Sequence, residues 1–396
     1  MKRIYLDYAA STPVDLAVLR AVEPYFSERF GNPGSLHAFG QDAITALDTS
    51  REAIAKALGA EFRQIIFTGS ATEANNLALR GAVKRFSETA RGTAARPRVI
   101  ISAIEHESVL ETALDLEHAG VEVVRIPVDA HGAVDAKKIK ENLTEETALV
   151  SVMYAQNEIG SIQPIAEIAK LVREFRGKKI FPMFHTDAAQ AFQWLDCDVD
   201  ALGIDLMTLS SHKIYGPKGI GALYAQDIKN IAPIITGGGQ EFGVRSGTEN
   251  IPLIIGFAKA TELAHAARAK ESKRIAELRD RFWGGLKEIF PNAEMNGIVN
   301  GAANNSEKLP NILNVYFPGH DAQDLLTKFD LNGLAASAGS ACRSRAVTSS
   351  YVIEALGYPK DRARSSVRFS FGRPTSEGDI HAALKIIKET LERAAS

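Results

Sequence analysis

Cysteine is scarce in this chain of 396 residues, which contains only Cys197 and Cys342. Two cysteines cannot form a disulfide framework, and the paired Cys-x-x-Cys spacing of a structural zinc site is absent. We therefore expect a reduced, cytoplasmic protein without a bound metal. Because the chain is long enough for two or three domains, a sizeable hydrophobic core is expected to stabilise it.

An excess of either charge is also missing, since 46 lysines and arginines oppose 48 aspartates and glutamates. A general nucleic-acid binder usually carries a basic excess, so we expect no direct nucleic-acid partner. No apolar run approaches the roughly 18 residues of a membrane span, and Asp7 interrupts the N-terminus before the core of a signal peptide. We expect no membrane association.

The sequence does contain a regular alternation of short β-rich runs with helical periodicity, beginning near residue 60. Parallel strands need crossover helices, so this alternation predicts a doubly wound α/β layer with a mostly parallel sheet and ligands at the carboxyl ends of its strands. The predicted strands are residues 64–68, 98–102, 121–126, 148–153, 183–186, 205–209 and 220–224.

A smaller α+β domain is predicted after this layer. The helical stretch 252–289 is interpreted as a connector, and the strands at 311–317 and 366–371 bracket further helices. The predicted division assigns residues 13–260 to a large domain, and residues 1–12 and 261–396 to a small domain.

A lysine and an aspartate each follow or close a predicted strand of the large sheet. Lys213 lies in the motif Ser-His-Lys-Ile-Tyr-Gly-Pro-Lys-Gly, and Asp187 lies in Thr-Asp-Ala-Ala-Gln, 26 residues earlier. A lysine can form a Schiff base with a carbonyl cofactor, and a carboxylate beside it suits the pyridinium nitrogen of pyridoxal phosphate. Taken singly, a solvated lysine and a helix-capping aspartate remain the alternatives.

Other motifs supply candidate phosphate, proton-transfer and thiol groups. The turn Thr-Gly-Ser-Ala-Thr-Glu at 68–73 is typical of a phosphate site at a helix N-terminus, or of a simple capping box. His106 could stack on a planar cofactor or cap a helix, and Arg368, in an apolar strand, could bind a substrate carboxylate or form an internal ion pair. Cys342, in a Gly/Ser-rich segment with Arg343 and Arg345, has the neighbours of a reactive cysteine.

Together these motifs resemble the cysteine desulfurases, which are pyridoxal-phosphate enzymes of the class V aminotransferase superfamily, in the branch that serves iron–sulfur cluster assembly. The motifs Glu-His-Glu, Gln-Asn-Glu-Ile-Gly, Arg-Ser-Gly-Thr-Glu-Asn and Gly-Ser-Ala-Cys extend the resemblance over nearly the whole chain. It implies fold type I of the pyridoxal-phosphate-dependent transferases, with a large cofactor-binding domain and a small domain that carries a catalytic-cysteine loop at about 337–351.

The resemblance also implies a role for individual residues. Lys213 would hold the cofactor, Cys342 would accept sulfur, and His106 would stack on the cofactor ring and assist proton transfer. Arg368, with Asn32 and Asn157, would bind the substrate. The remaining cofactor-binding residues would be Ala71, Thr72, Asn157, Asp187, Gln190, Ser210, His212 and, from the neighbouring subunit of a homodimer, Thr248.

The implied reaction converts L-cysteine to L-alanine and leaves the sulfur on Cys342 as a persulfide. An iron–sulfur scaffold or a tRNA-thiolation enzyme would then receive the sulfur. Selenocysteine lyase activity and another reaction of a class V aminotransferase-fold enzyme are the alternatives.

Overall fold

The computed structural model describes residues 3–89, 96–297, 308–339 and 349–395. Its main sheet has seven strands in the order β2-β8-β7-β6-β5-β3-β4. Five neighbouring strands are parallel, and β8 is antiparallel to both of its neighbours. The α/β prediction is thereby confirmed. The strands are β2 (Ile65–Thr68), β3 (Arg98–Ser102), β4 (Glu122–Ile126), β5 (Thr147–Ser151), β6 (Met183–Asp187), β7 (Leu206–Ser210) and β8 (Gly221–Ala225).

Helices cover both faces of this sheet. Adjacent strand residues such as Ile66 and Phe67, or Leu149 and Val150, belong to two different apolar clusters, because successive side chains point to opposite faces. One cluster includes α4 and α5, and the other includes α3, α7 and α9. The helices are α1 (Leu16–Val22), α2 (Pro24–Ser27), α3 (Ala38–Ala57), α4 (Ala71–Thr89), α5 (Glu107–His118), α6 (Ala136–Asn142), α7 (Ile165–Arg176), α8 (Val199–Leu202), α9 (Ile251–Ile289), α10 (Ala322–Leu331), α11 (Tyr351–Ala355), α12 (Lys360–Arg364) and α13 (Glu377–Ala395).

Two smaller sheets contain the remaining strands. The antiparallel sheet β12-β10-β9 consists of β9 (Glu294–Met295), β10 (Ile312–Tyr316) and β12 (Ser366–Ser370), and β1 (Ile4–Tyr5) pairs with β11 (Leu334–Ala335). The N-terminal segment thus pairs with a strand from the C-terminal third of the chain. The domain boundary near residue 260 stays a prediction, since α9 runs through it without a break.

A buried ion pair ties α3 to the loop before α9. The guanidinium of Arg51 donates to both carboxylate oxygens of Glu241, at 2.6 and 2.8 Å, and both side chains are at most 3% exposed. Glu241 also accepts the backbone N–H of Phe67 in β2, at 2.9 Å. This pair fixes residues 241–248 against the edge strand of the main sheet. Among the described residues, no helix is both long and apolar enough to cross a membrane.

Substitution of Arg51 by methionine is expected to destabilise the protein by about 3–5 kcal/mol, because it leaves the Glu241 carboxylate buried without its cation. The double variant Arg51→Met/Glu241→Gln should recover part of the loss in chemical denaturation. Arg281→Met, which breaks an exposed pair with Glu377, is the control and should leave the unfolding midpoint nearly unchanged. Equal midpoints for Arg51→Met and Arg281→Met would contradict the assignment.

Candidate active site

A cavity of about 230 Å³ lies at the carboxyl ends of β5, β6 and β7. This is the edge at which a parallel sheet of this kind binds ligands. Its lining brings together ten of the thirteen candidate residues named from the sequence or implied by its resemblance. The lining residues are Ala9, Ala10, Ser70, Ala71, Thr72, His106, Ser108, Met153, Asn157, Asp187, Ala189, Gln190, Ser210, His212, Lys213 and Arg368.

The amine of Lys213 is held by the N-terminal segment. Lys213 ends the short turn that follows β7, and its Nζ donates to the carbonyl oxygens of Ala9 at 2.6 Å and Ala10 at 2.8 Å. Gln190 Nε2 donates to the same Ala9 oxygen at 2.8 Å. The pairing of β1 with β11 therefore matters for the site, because it fixes the segment that directs the lysine.

The carboxylate of Asp187 is buried at the end of β6. Its Oδ1 accepts the backbone N–H of Ala189 at 2.9 Å, and its Oδ2 accepts Asn75 Nδ2 at 2.7 Å. Two hydrogen bonds from different elements therefore hold the carboxylate at the cavity.

Two imidazoles in the cavity are neutral at physiological pH. His106 is the N-cap of α5, where its Nδ1 accepts the backbone N–H of Ser108 at 3.1 Å. Burial lowers its pKa, the charge of Asp187 opposes this effect, and Lys213 adds to it. Burial likewise lowers the pKa of His212 to about 4. Since Nδ1 of His106 accepts, the proton of the neutral ring is on Nε2.

The first turn of α4 forms the wall that the sequence predicts to hold a phosphate. Ser70 Oγ accepts the N–H of Glu73, while Ala71 and Thr72 line the cavity. The first N–H groups of a helix have no partner within it and attract anions. β8 approaches this turn so closely that a Cβ on Gly221 would lie 2.6 Å from the carbonyl carbon of Ser70.

Arg368 forms an internal ion pair, one of the two alternatives that the sequence leaves open. It lines the cavity, and it also donates to Asp7 Oδ1 and to the carbonyl oxygen of Asn157, each at 2.8 Å. Its Nε is buried and has no hydrogen-bond partner in the described part of the chain. The guanidinium is thus rigidly placed, and these two contacts use only two of its five N–H groups.

Three candidate residues lie elsewhere. Thr248 is exposed in a separate groove beside Arg245, and Asn32 is exposed outside the cavity lining. Cys342 lies outside the described residues, together with Arg343 and Arg345. The other cysteine, Cys197, is fully buried, which raises its pKa to about 12 and fits a structural thiol.

Sequence reasoning missed Asn75, Ser108 and Asp7, which hold Asp187, His106 and Arg368. Asn75 and Ser108 lie one turn or less beyond motifs that the sequence singled out. Their polar side chains on otherwise apolar helix faces are the signal that would have drawn attention to them.

Known proteins of similar sequence indicate the family of this chain. The sequence profile of the class V aminotransferases matches residues 4–382. This chain belongs to the class V aminotransferase family. A cysteine desulfurase IscS from Dictyoglomus turgidum is 41% identical over 394 residues, spanning 99% of this chain and 96% of the relative. An IscS from Rickettsia rickettsii is 39% identical over 98% of this chain and 91% of its own.

Solved structures give the same result. A NifS-like protein superimposes with a TM-score of 0.88 at 32% identity, covering 99% of this chain and 100% of that one. The structure of SspA in complex with cysteine gives a TM-score of 0.78 at 36% identity, covering 93% and 98%. The fold type predicted for the chain is confirmed by these neighbours.

Members of the class V aminotransferase family depend on pyridoxal phosphate. The cavity fits this cofactor by its donor set. It offers the Lys213 amine for the aldehyde, the Asp187 carboxylate for the pyridine nitrogen, and the helix N-terminus at Ala71 and Thr72 for the phosphate. His106 provides a flat, neutral ring beside them.

Substitution of Gly221 by alanine is expected to weaken cofactor binding about tenfold or more, because the added Cβ displaces the turn that directs N–H groups at the phosphate. Equilibrium dialysis of pyridoxal phosphate against the purified variant measures the loss. Gly284→Ala on α9 adds the same atom where nothing lies within 4 Å, and should bind the cofactor normally. Equal affinities would show that the turn does not depend on Gly221.

Proposed function

We propose that this protein is a pyridoxal-phosphate-dependent cysteine desulfurase that converts L-cysteine to L-alanine and transfers the sulfur to its own Cys342. The observation that carries the proposal is one cavity containing Lys213, Asp187, His106 and Arg368, in a chain about 40% identical to cysteine desulfurases over its full length. The neighbour whose structure contains cysteine supports the same substrate.

The overall reaction is balanced without a further reactant. The Cys342 thiolate attacks the substrate sulfur, an S–S bond forms, and the Cβ–S bond breaks. Its electron pair and a proton complete the methyl group of alanine. Pyridoxal phosphate, when bound, supplies the electron withdrawal that makes the substrate carbon framework accept this electron pair.

The residues of the cavity would divide the remaining work. Arg368 would bind the substrate carboxylate through N–H groups of its guanidinium that Asp7 and Asn157 leave unused. His106 would give or take a proton at Nε2, and Lys213 would take one at Nζ, because both line the space in which the substrate must lie. Asp187 would keep the local charge negative opposite the cofactor ring.

The ends of the described chain on either side of Cys342 support its role as the sulfur acceptor. Before it, Ser337 and Arg368 exchange two backbone hydrogen bonds, at 2.6 and 3.1 Å. After it, Ser350 Oγ donates to Glu158, the neighbour of the cavity residue Asn157, at 2.6 Å. The described residues that precede and follow Cys342 in the sequence are therefore both anchored beside the cavity.

The purified protein is expected to form alanine and sulfide in equal amounts from L-cysteine under reducing, anaerobic conditions. Cys342→Ser should lose about 100-fold or more of this activity while keeping the visible absorbance of the bound cofactor, which Lys213→Ala should lose. Cys197→Ala removes the other thiol and is expected to retain persulfide formation, measured by mass spectrometry of the intact protein.

The alternatives predict different outcomes of the same assay. An aminotransferase would lose no activity in Cys342→Ser and would release a keto acid. A selenocysteine lyase would turn over L-selenocysteine in both wild type and Cys342→Ser but L-cysteine poorly in either. If the purified protein binds no pyridoxal phosphate, the desulfurase, aminotransferase and selenocysteine lyase activities are all excluded.

We also propose a cytoplasmic homodimer that delivers sulfur to an iron–sulfur scaffold or a tRNA-thiolation enzyme. Thr248 is exposed outside its own cavity and would contact the partner's phosphate site. Apolar side chains between residues 16 and 39 are unusually exposed, and the rings of two of them pack 5.6 Å apart. Such a patch is typical of an interface. Its members are Leu16, Phe26, Phe30, Leu36 and Phe39.

The double variant Phe30→Asp/Phe39→Asp is expected to shift the protein from dimer to monomer in sedimentation velocity, because it places charge in the apolar patch. Leu331→Asp changes an equally exposed leucine on α10 and should remain dimeric. A wild type that sediments as a monomer at micromolar concentration would contradict the dimer.

A further inference from the structure

Asn75 links the two groups that face the cofactor site from different parts of the fold. Its side chain is fully buried on α4, between the end of β6 and the start of α5. One N–H of its amide donates to Asp187 Oδ2 and the other to Ser108 Oγ, each at 2.7 Å. Ser108 Oγ lies 2.8 Å from Nδ1 of His106.

The direction of these hydrogen bonds follows from the chemistry of the groups. An ionised carboxylate only accepts, so the amide nitrogen of Asn75 must face Asp187. Since Ser108 Oγ accepts the second N–H of Asn75, its own proton is available to His106 Nδ1. The result is a continuous chain of donors from Asn75 through Ser108 to His106, with Asp187 at the other end.

Packing alone does not explain an asparagine here. The amide oxygen of Asn75 is buried and has no hydrogen-bond partner among the residues described. A buried polar atom without a partner is destabilising, and a leucine of similar volume would avoid it. Asn75 therefore makes the fold less stable than a leucine would, but it keeps two N–H donors in place.

We propose that Asn75 is a positioning residue that fixes the Asp187 carboxylate toward the pyridine side of the cavity and moderates its negative charge. The inference rests on the proposed function, because it assumes that Asp187 faces the ring of bound pyridoxal phosphate. With Ala189 N–H on one oxygen and Asn75 on the other, the carboxylate has a single orientation. Loss of the Asn75 donor leaves its charge less compensated and its plane free to turn.

The test is the pH titration of the visible absorbance of the resting holoenzyme. Its midpoint reports the proton on the lysine-bound cofactor, which a stronger negative charge at Asp187 stabilises. We expect Asn75→Leu to raise the midpoint by about 0.5 to 1 pH unit, because Asp187 loses a donor. Asn75→Asp should stay close to wild type, because two carboxyl groups this close share a proton, which donates in place of the amide. Pyridoxal phosphate affinity, measured by dialysis, should fall about fivefold or more in Asn75→Leu.

The other titratable groups around Asp187 are the same in every variant. They are Lys213 after β7, His106 before α5, Glu105 on the preceding turn and His185 on β6. Burial raises the pKa of Glu105 to about 8 and lowers that of His185 to about 4. A shift in Asn75→Leu that Asn75→Asp does not share is therefore assigned to the donor at position 75.

Asn76 provides matched controls one position along the same helix. Its side chain bonds Arg80 and the carbonyl oxygen of Thr72 instead of Asp187, so Asn76→Leu and Asn76→Asp should leave the midpoint unchanged. A purely structural role for Asn75 would lower the thermal unfolding midpoint of Asn75→Leu without moving the titration, and would overturn the inference. A wild type without the cofactor band would instead reject the proposed function.

Discussion

A buried negative charge at the carboxyl edge of the main sheet is the constraint on which the site depends. Asp187 is buried, and a backbone N–H and an amide N–H donate to its two oxygens. The need for such donors explains why α4 carries an asparagine on a helix face that is otherwise apolar. The buried carboxylate also suits a cofactor with a protonated ring nitrogen, since such a ring carries the opposite charge.

The parallel part of the sheet determines where this charge can lie. β5, β6 and β7 end at one edge, where one cavity is lined by Asn157 after β5, Asp187 at the end of β6 and Lys213 after β7. β8 enters antiparallel, and its glycine lets the first turn of α4 approach. The strand order therefore determines the positions of the α4 N-terminus, Lys213 and Asp187 around the cavity.

The local pattern of apolar residues was sufficient to predict several strands from the sequence. The runs at 98–102 and 366–371 correspond to β3 and β12 because buried strands are short and β-branched. The direction of β8 and the pairing of β1 with β11 were not predictable, since periodicity carries no information about distant pairing. Asn75 and Asp7 were missed for the same reason: their partners are 112 and 361 residues away.

Arg368, the proposed substrate-binding residue, is bonded to the segment that leads toward Cys342, the proposed sulfur acceptor. Its side chain lines the cavity, while its backbone pairs with Ser337, five residues before Cys342. A substrate carboxylate bound at the guanidinium would act on the strand residue to which this segment is attached. The cavity by itself suits many reactions of amino acids, so the reaction depends on the group that the chain brings to the cavity from outside. In this chain the segment that would bring the Cys342 thiol is bonded, at Ser337, to Arg368, the residue that would bind the substrate.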